Sequence, residues 1–388
     1  MSNSTFPGVP GTMRTTNTAR LRAALKSLGP LVGLAIVWGI FAWLKPHSFL
    51  TSSNQSLMLL QTTVVGVAAI GATMVIIIGG IDLSVGSLIA LTAMIAAQLL
   101  HDGTAGWVAA LGSIGAGLTC GAVIGALVTG NLARFSGLML ASALSVMTWV
   151  YLGEQGAGVP LRIAASLAPA ALIVPFEFIR VRSLPLTPFI VTLGMFGALR
   201  GLAKGMGGNS NIYPHGADGV DALMKPSTAG GLAALPPSVW LLLLLALLIS
   251  GMLHFTPFGR QVFAIGSNEH AARLCGVKVE RTKLFVYALA GACAGLAGMF
   301  QFASLTVGNP TTAGGYELKV IAAVVIGGAS LSGGEGSVRG TLIGALLMTV
   351  IDNGCTKLGL SDWVQEIMTG GIIVIAVLID RLRHAAKV

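Results

Sequence analysis

The sequence predicts an all-α protein, a polytopic transmembrane helix bundle of about 10–12 spans in which some helices are broken. Three observations carry that expectation. Hydrophobic residues make up 54% of the 388 and charged residues only 10%, with a mean hydropathy of +0.84. A soluble chain of this length could not bury so much apolar surface. The apolar runs also lack the strict alternation of barrel strands, so helices must satisfy their backbone groups in lipid. Finally, 53 glycines against 6% aromatic residues suit helices that approach closely over small side chains.

Taken in order, residues 1–27 are rich in Ser, Thr, Gly and Pro, carry Arg14, Arg20, Arg22 and Lys26, and read as a flexible cytoplasmic tail. A transmembrane domain follows at 28–383. Its first apolar run, 28–44, has no small-residue cleavage site behind it, which argues against a cleaved signal peptide. Further crossings are expected at 56–78, 83–100, 105–130, 135–152, 163–179, 184–203, 237–255, 284–303, 318–330, 337–352 and 362–380. With the N-terminus inside, sixteen Lys and Arg fall on the inner side and six on the outer, while Arg200 lies within a span. That bias places 256–283 and both termini in the cytoplasm. Arg200 and Lys204 read most simply as snorkelling cations. The longest outer segment, 204–236, is Gly/Pro-rich and either faces a substrate or partner or merely connects two spans. The GxxxG ladders Gly117–Gly121–Gly125 and Gly291–Gly295 read as packing devices.

The most informative stretch is a polar interruption at 256–283, TPFGRQVFAIGSNEHAARLCGVKVERTK, where seven of 28 residues are charged. Within it SNEHAARLCG reads as one short helix, capped by Ser267 or Asn268 and closed by Gly276. A small capped helix in the longest basic loop offers a knob to a soluble partner; the plainer alternative is an ordinary loop helix. A second signal is a repeat. VIIIGGIDLSVGS (75–87) and VVIGGASLSGGEGS (324–337) share a β-branched run, a Gly-Gly pair and a Leu-Ser. Paired Gly-interrupted apolar segments point to a translocation pathway. Counting spans puts both copies on one side, a parallel repeat, unless a re-entrant segment inverts one. Asp82 either lies beside the pathway or caps the following helix. Glu317 and Lys319, two apart, cannot face one another on a helix, so each needs its own partner.

Several chemistries are excluded. No GxxxxGK[ST], HExxH or GxSxG occurs, and no cluster of intramembrane carboxylates and histidines resembles a proton relay. The four cysteines are scattered without a CxxC pair or a histidine at metal-ligand spacing, so neither a disulfide framework nor a zinc site is expected, and no cofactor. The net charge of +9 reflects cytoplasmic loops rather than nucleic-acid binding.

Five motifs in order carry a family resemblance: GGIDLSVGS (79–87), PFIVTLGMFGALRG (188–201), FGRQVFAIGSNEHAARLCGVKVERTK (258–283), YELKVIAAVVIGGASLSGGEGSVRGTLIGALL (316–347) and GGIIVIAVLIDRLR (370–383). From about residue 55 to the end, the chain resembles the membrane permeases of ribose/xylose/galactose-type ABC importers. The resemblance implies an ABC importer permease fold in the cell inner membrane, without enzyme activity of its own. It implies a second permease chain as a homodimer partner, a cytoplasmic ABC ATPase subunit, and a periplasmic or lipid-anchored sugar-binding protein. It assigns ATPase coupling to Gly266, Ser267, Asn268, Glu269, Ala271, Ala272, Arg273 and Gly276. Ala271 and Ala272 are small enough for close contact, and Glu269 and Arg273 can pair with the partner. Two departures stand out: an extra apolar hairpin at 132–183, and Lys319 where similar sequences carry an acid. Asp82, Ser84, Asn309, Thr311 and Ser332 are the pathway candidates, as polar groups beside the glycine breaks or in VGNPTTAGG. A self-sufficient secondary transporter or channel for a small polar solute is the competing class.

Overall fold

The computed structural model describes residues 17–130, 186–225 and 235–385, with scattered residues between 144 and 168. Most of the expected hairpin at 132–183 lies outside the described residues. Among the described residues the elements are helical: α1 (Asn17–Leu44), α2 (Pro46–Phe49), α3 (Ser52–Ile77), α4 (Val85–His101), α5 (Gly106–Val128), α6 (Pro188–Met206), α7 (Pro237–Phe255), α8 (Pro257–Ser267), α9 (Glu269–Leu274), α10 (Val279–Leu305), α11 (Tyr316–Ile326), α12 (Val338–Lys357) and α13 (Asp362–Ala385). Helix α1 begins at Asn17, so 17–27, expected as tail, are helical. Five helices (α3, α5, α6, α7 and α10) are long and apolar enough to cross a membrane.

Helix α3 is the centre of the bundle. Thr51 caps it, its hydroxyl accepting the Asn54 amide at 3.3 Å, and Val67, Ile70 and Met74 are fully buried. Around it pack α10, α12, α11 and α7, and α10 also lies along α4 and α5. Polar pairs tie α3 to α12 across the apolar interior. Asn54 and Asn353 exchange amide hydrogen bonds at 2.9 and 3.0 Å, and the Thr73 and Thr341 hydroxyls meet at 2.7 Å. Such bonds hold helices together where lipid gives no hydrophobic drive between them.

The two glycine ladders face each other, as packing devices should. A methyl group on Gly117 would overlap the Gly291 carbonyl oxygen, and one on Gly121 would overlap that of Tyr287. A Cβ on Gly295 would lie 2.5 Å from the Ser113 carbonyl. Helices α5 and α10 therefore touch backbone to backbone.

The crossing expected at 318–330 takes a different form. Helix α11 has only 11 residues, about 16 Å, or half a bilayer. The outer half of this crossing is the non-helical segment 306–315. Gly308 lies against Ala97 and Met94 of α4, whereas the Ala313 carbonyl lies against Gly86, so the segment descends about 16 Å along α4. Pro310, which has no amide proton to give, and left-handed backbone at Thr306 (φ 55°), Ala313 (φ 54°) and Gly315 (φ 78°) keep it from becoming helix.

The ladder yields a clear expectation. Gly291→Ala must push α5 from α10 and destabilise the bundle by about 1–3 kcal/mol, lowering the melting midpoint of the solubilised protein. Gly251→Ala, whose methyl would meet nothing within 4 Å, should leave that midpoint unchanged.

Candidate coupling site and translocation pathway

The polar loop folds as its sequence suggests. Thr256 caps α8, accepting from the Gly259 amide at 3.2 Å. Asn268, extended at φ −159°, ends α8 and starts α9, its side chain accepting the Ala271 amide at 2.9 Å. Asn268, not Ser267, is thus the cap. Helix α9 closes with Gly276 at φ 82°: the Gly276 amide bonds the Arg273 carbonyl at 3.0 Å and the Val277 amide that of Ala272 at 3.1 Å. This is a Schellman ending, which requires the left-handed residue that glycine supplies.

Two sequence assignments change here. Ala272 is only 5% exposed and seats α9 on the protein, so only Ala271 of the pair stands outward. Glu269 and Arg273, expected to meet a partner, instead pair within the loop. Glu269 binds Lys283 at 2.7 Å and Arg273 at 3.5 Å, while Arg273 also binds Glu280. The Arg273–Glu280 pair joins the end of α9 to the start of α10. The sequence reading missed Leu274, 76% exposed at the end of α9.

Gly266, in the last turn of α8, is where the loop meets the bundle. A methyl there would overlap the Ile77 carbonyl oxygen and lie 2.6 Å from the Gly334 nitrogen. Gly334 in turn donates to the Ile77 carbonyl at 2.8 Å, and a Cβ on Gly333 would lie 2.8 Å from the Gly266 oxygen and 3.1 Å from the Gly79 Cα. Both Gly-rich repeats and the end of α8 thus share one backbone contact. The repeats themselves are built alike. Each ends a helix with a left-handed glycine, Gly79 (φ 79°) after α3 and Gly328 (φ 95°) after α11. Gly79 and Gly80 bond back to Ile76 and Val75, as Gly328 and Ala329 do to Val325 and Val324. The left-handed residue is the first glycine of one pair and the second of the other. Both breaks turn the chain at the same end of the bundle, the parallel arrangement that the span count gives.

The five pathway candidates fall into three small turns. The Asp82 carboxylate accepts from the Ser84 amide and hydroxyl at 2.8 and 2.6 Å. Asn309 accepts from the Thr311 amide and hydroxyl at 2.8 and 2.7 Å. The Ser330 hydroxyl meets that of Ser332 at 2.8 Å and accepts from its amide at 3.3 Å. In each turn the first side chain accepts a backbone amide two residues on, next to a helix break; Asp82 bonds only Ser84, the N-cap residue of α4, and none of the helix's own free amides.

The polar groups that the structure does bring together inside the bundle are others. Arg200 of α6 reaches the descending segment, its guanidinium donating to the carbonyls of Pro310 at 3.0 Å and Thr312 at 2.7 Å. It is no snorkelling cation. Gln301 donates to the Thr312 hydroxyl at 2.9 Å, and the Glu317 carboxylate lies against Gly86, where a side chain would displace it. Lys319 finds its own partner, Asp352 of α12, at 2.8 Å. The outer segment is stitched to the same strand of chain, Ile212 and Gly308 exchanging two backbone bonds at 2.9 Å.

A polytopic helix bundle with one half-helix crossing, and two Gly-rich helix ends packed on the polar loop 256–283, fits a membrane permease. The chain belongs to the family described as the branched-chain amino acid transport system permease component, whose model matches residues 129–377. It is 35% identical over 94% of its length to the ribose import permease protein RbsC of Escherichia coli (strain K12), covering 96% of that protein. To RbsC of Bacillus subtilis (strain 168) it is 33% identical, covering 93% of this chain and 94% of the other. To the xylose transport system permease protein XylH of Escherichia coli (strain K12) it is 34% identical, over 88% of each. No solved structure matches it. The chain is therefore a multi-pass permease of the cell membrane.

Two substitutions test this geometry. Gly266→Val leaves no place for Ile77 and Gly334 and should abolish transport through a displaced α8, read as lost uptake with the protein still in the membrane. Arg200→Met frees two carbonyls at membrane depth, each unpaired group costing about 1–3 kcal/mol. Loss of ordered structure around 306–315, read as faster hydrogen exchange there, is the expected result.

Proposed function

We propose that this chain is the permease subunit of an ATP-driven ABC importer that carries a monosaccharide, a pentose or hexose such as xylose, ribose or galactose, into the cell. Two copies form the pore, and a sugar-binding protein delivers solute at the end opposite the coupling loop. A separate cytoplasmic ATPase grips α9 through Asn268, Ala271 and Leu274. The contact at Gly266 carries the reading: a push on α9 reaches the breaks after α3 and α11 through backbone alone. The chain carries no phosphate-cradling loop in its sequence, so hydrolysis belongs to the partner. Ribose and xylose permeases among the relatives, each matched over most of its length, support the substrate class.

Reconstitution decides the matter. With ATPase and binding protein, the permease should accumulate a monosaccharide only when ATP is supplied. Ala271→Arg, which adds a long cation to the exposed face of α9, should abolish that uptake without removing the protein from the membrane. Accumulation by the permease alone under an ion gradient would overturn the reading.

A further inference from the structure

At the end opposite the coupling loop, α11 and α13 enclose a cavity of about 480 Å³, within the ~300–1,000 Å³ of small-molecule sites. The position follows from α12. It leaves the glycine junction at Val338 and runs for 20 residues, about 30 Å, before α13 returns. Gly315, Lys319, Asp362, Gln365, Glu366 and Thr369 line the space. On α13 the four polar residues stand at i, i+3, i+4 and i+7, one stripe along the helix. Trp363, Ile367 and Val374, all exposed, occupy the other side.

Thr369 is the telling residue. It is only 5% exposed, yet its hydroxyl makes no hydrogen bond. Other helical threonines here bond back to the carbonyl four residues earlier: Thr62 to Met58, Thr73 to Ala69, Thr349 to Ala345. The hydroxyl opens onto the cavity that it lines, with no partner among the described residues. Asp362 and Glu366 have no ion-pair or hydrogen-bond partner among the described residues either. Gln365 donates its amide to the Leu360 carbonyl at 3.1 Å, which leaves its side-chain oxygen to accept. The Lys319 charge is balanced by Asp352, so the cavity carries a net negative field. No group of three metal-ligating side chains occurs among the described residues, which disfavours a bound metal ion.

We infer that this cavity is a weak entry site for a neutral polyhydroxylated solute, an uncharged monosaccharide; the inference rests on the sugar-permease reading above. Carboxylates and the Gln365 oxygen accept from adjacent sugar hydroxyls, and Thr369 supplies a donor that nothing else uses. The same negative field turns away phosphorylated sugars and sugar acids. Each bond replaces one to water, so capture is weak, as suits a solute that must move on.

Thiol protection tests the site in the full chain, embedded in lipid nanodiscs. Leu318→Cys places a thiol on the cavity wall, and peptide mass separates its alkylation by a neutral maleimide from that of the native cysteines. Ribose, xylose or galactose at millimolar concentration should slow the reaction, and ribose 5-phosphate should not. Thr369→Val with Glu366→Gln should weaken the protection about tenfold, whereas Thr369→Ser, which restores the hydroxyl and reports on folding, should keep it. Equal labelling with and without every sugar, equal protection by the phosphate, or protection indifferent to the double variant would each overturn the assignment. Uptake by the assembled importer separates the two levels. Transport of a monosaccharide without protection removes this cavity alone, and transport of none removes the sugar reading beneath it.

Discussion

The carbonyl oxygen of Ile77 accepts the Gly334 amide at 2.8 Å and lies against Gly266 with no space for a methyl group. Much else in the bundle follows from that contact. It ends α3, the most buried of the five long apolar helices, at the point where the second glycine repeat and the coupling loop converge. The hydrogen bond itself is worth only about 0.5–1.5 kcal/mol. Its consequence is geometric: three segments distant in sequence touch through main chain, and no side-chain rotamer can absorb a displacement between them. Glycine at 266 is required by that closeness, and glycine at 79 and 328 by left-handed backbone.

A second constraint is the satisfaction of broken backbone at membrane depth. Helix α11 starts about half-way through the bilayer, which leaves 306–315 without helical bonds. Arg200 supplies donors to two of its carbonyls, and Asn309 supplies an acceptor for the Thr311 amide. Gly308 exchanges two backbone bonds with Ile212, accepting one and donating one. Most polar residues of this region are thus bound up with the break itself, while one Glu317 carboxylate oxygen, buried beside Gly86, has no partner among the described residues.

Much of this was legible in the sequence, for identifiable reasons. Crossings follow from apolar length, and the α9 ends from Asn268 and Gly276, whose capping chemistry is local. The half-helix was legible in part, since the 13 residues of 318–330 are too few for a full crossing; the non-helical chain before it was not, and only Asn309-Pro310 hinted at it. Asp82, Ser84, Asn309, Thr311 and Ser332 drew attention as polar residues beside glycines, but an i, i+2 turn uses the same residue types as a solute site. Arg200 looked like a snorkelling cation because nothing local shows that the carbonyls of 310 and 312, more than a hundred residues away, lack donors. Whether Ala271 or Ala272 faces inward depends on how α9 is seated, which a six-residue helix cannot announce.

The distribution of stiffness then bears on how the molecule moves. Helices α5 and α10 lock through their glycine ladders, and α10 begins only five residues after α9 ends, across Cys275–Lys278. A displacement of α9 therefore has two exits: through α10 into a rigid pair, or through Gly266 into the two breaks. The breaks yield more easily. Glycines flank both of them, and α11 is anchored above by non-helical chain with left-handed Ala313 and Gly315, where dihedral change requires no helix to melt. Arg200 holds this half-helix region to α6 by polar contacts, which can be exchanged, whereas α11 meets α12 backbone to backbone, a methyl on Gly344 overlapping the Ala323 carbonyl and one on Gly340 that of Gly327. Under the proposed coupling, a push on α9 would move α11 and α12 as one unit against α13.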